Sequence, residues 1–302
     1  MSAERTRILV LGATGMLGHA LFERLSVRPE LDVHGTVRDP GPLAERVALE
    51  RQRSIHAGVD AARISTIERV LDEVRPAVVI NAIGIVPQVP AARDPLASIE
   101  INALLPHRLG RLCARAGVRF IQIGTDCVFS GATGRYAEDD PLDPIDLYGR
   151  TKLLGEPGDG ALTLRTSIVG HELQGHHGLL DWFLAQDATA PGFRRAVFSG
   201  VPSVELARVV ADAVLPHPEL AGVHHLSSAP ISKLELLELI ARRYDHPIEI
   251  VPRDEPALDR SLDSTRFQGA TGYRPPSWPD LVDAMFEDAV DRYPARFRTL
   301  VR

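Results

Sequence analysis

Tyr148 and Lys152 stand four residues apart in DLYGRTKLLGE (146–156). That spacing stacks two side chains on one face of an α-helix. A phenol beside an ammonium can move a proton: tyrosine ordinarily titrates near ~10, and a neighbouring cation favours the phenolate and draws that value toward neutrality. The same pair also serves a plain solvated helix face, so the rest of the chain decides. Thr125 and Asp126, in GTDCVFSG (124–131), add a hydroxyl and a carboxyl upstream. Gly12, Gly15 and Gly18 of GATGMLG (12–18) form a third cluster. Glycine permits a tight turn and lets a pyrophosphate approach the amides of a helix N-terminus. The spacing is GxxGxxG, a departure from the GxGxxG dinucleotide fingerprint.

These clusters follow short β-branched runs. RILVLG (7–12) precedes a helix through Leu25, and DVHGTVR (32–38) precedes a polar helix over 42–52. RSIHAGV (53–59) leads to a helix over 65–75, and AVVINAIG (77–84) to a long helix over 94–116. VRFIQIG (118–124) and ALTLRTSIV (161–169) complete a count of six strands. Buried continuous strands alternating with helices specify an α/β fold, a doubly wound Rossmann-type parallel sheet. Thr125 and Asp126 then lie at the carboxyl end of the fifth strand, where such sheets bind ligands. After about residue 170 the rhythm changes to helices over 178–186, 203–215, 232–244 and 279–291, broken by Pro/Gly/His-rich loops and short strands such as 223–228. The expected organisation is a dinucleotide-binding domain over 1–169 and a smaller substrate-binding region over 170–302, part of which, such as the 203–215 helix, folds back on the first.

The second strand ends at Val37-Arg38-Asp39. An acid there receives ribose hydroxyls, whereas arginine accommodates a 2′-phosphate. Arg38 comes first, which favours NADP(H) and leaves NAD(H) as the alternative. Asp60, past the third strand, is a candidate adenine contact. Asn81, Ala82 and Gly84 end the fourth strand in a small-residue bend suited to a cofactor ribose.

Composition excludes other classes. The 302 residues are 44% hydrophobic and 25% charged, ordinary for a globular protein, and the net charge of −6 provides no field for nucleic acid. Two cysteines, Cys113 and Cys127, fit neither a disulfide framework nor a four-cysteine zinc site, and suit a reducing compartment. The most apolar run, 77–86, is too short to cross a membrane, so a cytoplasmic location is expected. His171, His176, His177, His224 and His225 match no metal-ligand spacing, and no metal is expected.

Taken together, GATGMLG, GTDCVFSG, YGRTK and LRTS resemble the extended short-chain dehydrogenase/reductases. More narrowly, the chain is similar to the dTDP-4-dehydrorhamnose reductase group of nucleotide-sugar reductases, over nearly its whole length and most closely over 8–170. The resemblance implies that Tyr148 donates a proton to a carbonyl, that Lys152 tunes the phenol and holds the nicotinamide ribose, and that Thr125 hydrogen-bonds the carbonyl oxygen. It extends the cofactor contacts to Gly12, Thr14, Gly15, Met16, Leu17 and Gly18. It places Val86, Asn102, Asp126, Val128 and Arg260 on the substrate side, with Asn102 near the lysine and Arg260 on a nucleotide diphosphate. Related dehydratases read T-D-E where this chain reads T-D-C, so the missing glutamate points to carbonyl reduction instead of water elimination. Cys127 itself reads as a buried small hydrophobe. The implied activity is NADPH-dependent reduction of the 4-keto group of a nucleotide-linked 6-deoxy sugar, in deoxysugar or polysaccharide synthesis. The alternatives are a nucleotide-sugar epimerase with bound NAD and a non-catalytic NADP-binding regulatory subunit. A homodimer is a further expectation.

Overall fold

The alternating apolar runs assemble into one parallel sheet in the computed structural model, which describes residues 5–44, 49–158 and 160–292. The strands are β1 (Thr6–Leu11), β2 (Leu31–Thr36), β3 (Ile55–His56), β4 (Val78–Asn81), β5 (Arg119–Ile123) and β6 (Leu162–Arg165). A seventh, Gly222–His225, pairs parallel with β6. The spatial order is Gly222–His225, β6, β5, β4, β1, β2, β3. The chain winds outward from β1 to β3, then crosses to β4 on the other side of β1. The carboxyl ends of β1 and β4 therefore diverge at a switch point, where doubly wound sheets open a crevice.

The period-two rule explains the two cores. Ile8 and Val10 of β1 face one cluster with Leu21, Phe22 and Leu25 of the helix Met16–Ser26. Leu9 and Leu11 face the other, with Ile67, Val70 and Val74 of the helix Ile64–Val74 and Leu109 and Cys113 of the helix Leu105–Ala116. A third cluster joins the helices Leu179–Leu184, Lys233–Arg243 and Trp278–Arg292 through Phe183, Leu236, Ile240, Tyr244, Leu281 and Met285. Leu206, Val209 and Val210 of the 203–214 helical segment pack in the first cluster, against the N-terminal sheet.

Several elements differ from the sequence reading. The sheet has seven strands because 222–225, from the later half, completes its edge. The run 161–169 splits: Ile168–Val169 leaves the sheet and pairs with Val201–Pro202. The polar helix over 42–52 is two short helices, Gly41–Ala44 and Leu49–Gln52, with 45–48 outside the described residues. The long helix over 94–116 begins as Pro95–Ser98, widens to a π-helical segment over Ile99–Leu104, and continues as Leu105–Ala116. Pro106 has no N–H for the carbonyl of Asn102 one turn back, and the winding loosens there. Among the described residues no helix is long and apolar enough to cross a membrane, and no group of three or more His, Cys, Asp or Glu is placed to hold a metal.

Candidate active site

The glycine turn after β1 shows three different needs for glycine. Gly12 has φ +82°, and a Cβ there would lie 2.8 Å from Ile83 Cγ1. A Cβ at Gly18 would sit 1.9 Å from the Gly12 carbonyl oxygen, so Gly18 lets the first helix start directly on the turn. At Gly15 the nearest atom would be Gly12 O at 3.5 Å, an ordinary contact. Nothing in the protein's own packing requires glycine at 15. That residue is the exposed N-cap of Met16–Ser26 and offers the first-turn amides no side-chain cap. A helix N-terminus without a side-chain cap suits a pyrophosphate. Thr14 and Met16 are half-buried, while the Leu17 side chain packs in the core, leaving its backbone to the turn.

Arg38 is exposed just past β2. Asp39 is occupied: its Oδ1 accepts the Gly41 N–H at 3.0 Å, which leaves the guanidinium as the group on offer for a phosphate. Asp60 is brought to the same end by bonds from the Gly58 and Val59 amides to the carbonyls of Arg38 and Val37. Its carboxylate already accepts from the Ala62 N–H and from Arg63 Nε, each at 3.1 Å. Asn81 departs from the expected cofactor contact. Fully buried, it donates to Gln122 Oε1 at 2.8 Å and accepts from the Ile83 N–H at 3.1 Å, so it builds the bend after β4. Ala82 is half-buried and Gly84 exposed along that bend.

The chemistry-bearing residues meet at the end of β5. Thr125 is 5% exposed and caps the short turn Asp126–Val128, accepting from the Cys127 N–H at 3.2 Å. Tyr148 and Lys152 lie on the helix Leu147–Leu154, which Asp146 caps by accepting the Gly149 N–H at 2.7 Å. Gly149 sets the depth of that helix, since a Cβ there would be 2.2 Å from the Cys127 carbonyl oxygen. Gly155 does the same at the other end, where a Cβ would be 1.8 Å from the Asn102 carbonyl oxygen. Gly149 thus lets the helix press against the Thr125 turn and Gly155 against the segment at Asn102, and the Thr125 hydroxyl acts on the phenol of Tyr148.

The electrostatics reverse one expectation. Burial pushes the Tyr148 phenol above its ordinary range, Cys127, Asp126 and Asp146 push the same way, and the Thr125 hydrogen bond pulls it back. Lys152 lies one turn further along the same helix. It is 7% exposed, and its Nζ donates to the Ile123 carbonyl at 2.7 Å. Burial brings its ammonium down to about 8, opposed by Glu156 and Cys127. Tyr148 therefore holds its proton, as an acid that protonates a carbonyl oxygen must.

The substrate-side residues divide. Asp126 is buried and accepts from the Thr125 hydroxyl at 3.3 Å and the Cys127 thiol at 3.5 Å. Burial pushes its carboxyl up, while Lys233 and Arg260 pull it down. Cys127 is no core hydrophobe: it is partly exposed, receives Arg260 Nη1 at 3.4 Å, and is pushed up to about 12 by burial and then by Asp126. Arg260 turns toward this cluster. Val128 has no exposed surface and packs with Phe129, Tyr136 and Leu262, so it supports the turn without lining the cleft. Asn102 clamps the loop after β4: Oδ1 accepts from the Ile85 N–H and Nδ2 donates to the Ile85 carbonyl, both at 2.8 Å. Those bonds commit its amide to the backbone, next to exposed Val86.

Lys233 escaped the sequence reading. The first residue of the helix Lys233–Arg243, it lies over the Phe198 ring at 3.4 Å from the centroid and faces Asp126 and Cys127. One signal was present: a cation in the first turn of a helix opposes the macrodipole, and ISKLE places one there directly after a serine cap. Two of the histidines are engaged elsewhere, whereas among the described residues His224 Nδ1 is buried with no hydrogen-bond partner. His171 pairs with Asp181 at 2.8 Å and Tyr244 at 3.0 Å, and His225 with the Tyr136 carbonyl at 3.0 Å.

A parallel seven-stranded sheet, an open glycine-capped helix at its switch point and a Thr–Tyr–Lys cluster at the end of β5 define a Rossmann-type protein of the extended short-chain class. The family model described as RmlD substrate binding domain matches residues 6–290, and the chain belongs to that family. Among curated proteins it is 32% identical to dTDP-4-dehydrorhamnose reductase of Burkholderia thailandensis, over 54% of this chain and 50% of that one. It is 24% identical to methionine adenosyltransferase 2 subunit beta of Mus musculus, over 94% of this chain and 91% of that one. Among solved structures, dTDP-4-dehydrorhamnose reductase of Bacillus anthracis in complex with NADP superposes with a TM-score of 0.77 at 21% identity, covering 94% of this chain and 99% of that one. Bordetella bronchiseptica WbmG in complex with NAD superposes at 0.76 and 19%, covering 97% and 96%.

Proposed function

We propose that the protein is an NADPH-dependent reductase of the 4-keto group of a nucleotide-linked 6-deoxy sugar. The observation that carries this reading is the meeting, at the carboxyl end of β5, of the Thr125 turn with the helix that bears Tyr148 and Lys152, which Gly149 lets press against that turn. When bound, a reduced nicotinamide supplies hydride to the carbonyl carbon. Tyr148 gives its proton to the carbonyl oxygen, which becomes the alcohol. Thr125 donates to the same oxygen as charge develops on it. Lys152, anchored to the Ile123 carbonyl, holds the ribose beside the phenol and, as a cation, steadies the phenolate left behind. The Gly12–Gly18 turn holds the pyrophosphate and Arg38 the 2′-phosphate, which favours NADP(H) over NAD(H). The likeness to reductases of this name, one solved with NADP, supports the choice.

The test is NADPH consumption by the purified protein with dTDP- and UDP-linked 4-keto-6-deoxy sugars. Stoichiometric formation of the alcohol is expected, and interconversion of epimers without net NADPH use would instead mark an epimerase. A second reading, an NADP-binding regulatory subunit of another enzyme, draws on the whole-length similarity to methionine adenosyltransferase 2 subunit beta. Tight NADPH binding, no turnover of any 4-keto nucleotide sugar and co-purification with a second enzyme would favour it. Exposed Leu96, Ile99, Leu104 and Leu154 lie on neighbouring helical segments, and a second copy of the chain is the proposed cover. A dimer mass in solution that falls to monomer in Leu154→Glu checks this.

A further inference from the structure

Outside the Thr125, Tyr148 and Lys152 cluster, two cations face the same turn without an ion-pair partner. Lys233 Nζ rests on the face of Phe198, itself 3% exposed and packed against Trp278 at 5.5 Å between ring centroids. A ring holds an ammonium through its quadrupole and takes up none of its three N–H donors. Among the described residues Lys233 has neither a salt bridge nor a hydrogen bond to its ammonium. Arg260 touches Cys127 Sγ at 3.4 Å through Nη1, and its Nε is buried with no acceptor. The one acid near both, Asp126, is hydrogen-bonded to Thr125 and Cys127 instead of to either cation. Glu235, on the same helix as Lys233, is used in the capping box with Ser232. The buried Arg260 Nε left unmatched is costly, and the part-exposed Lys233 ammonium keeps its donors open, so the pair is suited to an acceptor that arrives from outside. The acceptor must reach the turn that also holds Thr125, which places it within the sugar that presents its carbonyl to Tyr148.

We propose that Lys233, with Arg260 beside it, is a specificity-determining contact that donates hydrogen bonds to the ring hydroxyls of the substrate's sugar. This rests on the nucleotide-sugar reading above and names the part of the substrate the later half of the chain recognises. A diphosphate contact is the competing assignment, and it predicts a different pattern.

The experiment compares binding of dTDP and dTDP-rhamnose, and of UDP and UDP-glucose, to the NADP-loaded protein by calorimetry. The wild type binds a sugar-bearing member of a pair about tenfold or more tightly than the bare nucleotide, the size expected of hydrogen bonds to a charged donor. In Lys233→Met that increment disappears while affinity for the bare nucleotide is unchanged, and Lys233→Arg restores part of it. Equal weakening of nucleotide and nucleotide sugar in Lys233→Met assigns the ammonium to the diphosphate and overturns the inference, as does an unaltered increment. Should Lys233→Met fail to fold, Lys233→Gln, which retains one donor group, and Arg260→Met are read against the same two patterns. A wild type that binds none of the four sinks the nucleotide-sugar reading, and this inference with it.

Discussion

The two ends of the crevice are built on different principles. The end proposed for the cofactor is mostly backbone, made by one short turn: Gly12 bends it, Gly18 lets the helix approach, and Gly15 puts no side chain there. The end proposed for the substrate is mostly side chains, drawn from the turn after β5, the helix Leu147–Leu154, the helix Lys233–Arg243 and the segment after Leu258–Asp259. A site made of backbone tolerates no added Cβ but asks little of distant packing. A site made of side chains depends on every element that carries one, and on burial, which sets the charge state of each group.

Changes that separate the two ends test this contrast, and the largest concerns the phenol. Tyr148→Phe removes the proton donor and is expected to lower turnover by about 10²–10⁴-fold. NADPH affinity, measured by fluorescence titration, stays within error of wild type because the glycine turn is untouched. Next come the glycines. Gly18→Ala forces a methyl into the Gly12 carbonyl and costs about 1–3 kcal/mol or more of folding stability by denaturant titration. Gly15→Ala leaves stability unchanged and weakens NADPH by about tenfold, since its methyl meets the ligand and not the protein. Equal stability losses in the two variants would break the comparison.

Arg38→Ala is smaller again: NADPH binding weakens by about tenfold while NADH is unaffected, the signature of a lost 2′-phosphate contact. The smallest effect is a pH dependence with opposite signs for activity and stability. Lys152 titrates near about 8 in the folded protein, below the ordinary 10.5. Turnover that needs its charge is full below that value and declines as pH rises through it. Stability moves the other way. Between about 8 and 10.5 the unfolded chain binds more protons than the folded one, so this lysine's contribution to stability increases with pH across that window. Lys233, also brought to about 8 by burial, adds to the same trend.

The strand, glycine turn and helix proposed to hold the cofactor could be read from sequence because they follow one another in RILVLGATGMLG. The Tyr148 and Lys152 spacing was legible for the same reason. Tertiary commitments were not. Asn81 and Asn102 look like ligand contacts on paper, yet their amides are taken by Gln122, Ile83 and Ile85, partners that only folding brings near. The direction of the Tyr148 shift depends on how deeply Gly149 and Gly155 let its helix sink, which no spacing reveals. Lys233 lies over a hundred positions from Asp126 in the chain, and its first-turn placement was the one local sign of an outside demand. The seventh strand, Gly222–His225, hid among short segments of the later half because a strand of that length is defined by its neighbour β6 more than by its own sequence.

Direct transfer of hydride to a sugar carbonyl, with Tyr148 as the acid, is the central claim. NADPH labelled with deuterium on the transferring face, incubated with the protein and a dTDP-linked 4-keto-6-deoxy sugar, tests it by NMR and mass spectrometry of the product. One deuterium on the new carbinol carbon for each cofactor consumed is the predicted result, formed about 10²–10⁴-fold more slowly in Tyr148→Phe. Product without label at that carbon, or label transfer unchanged by Tyr148→Phe, would contradict it.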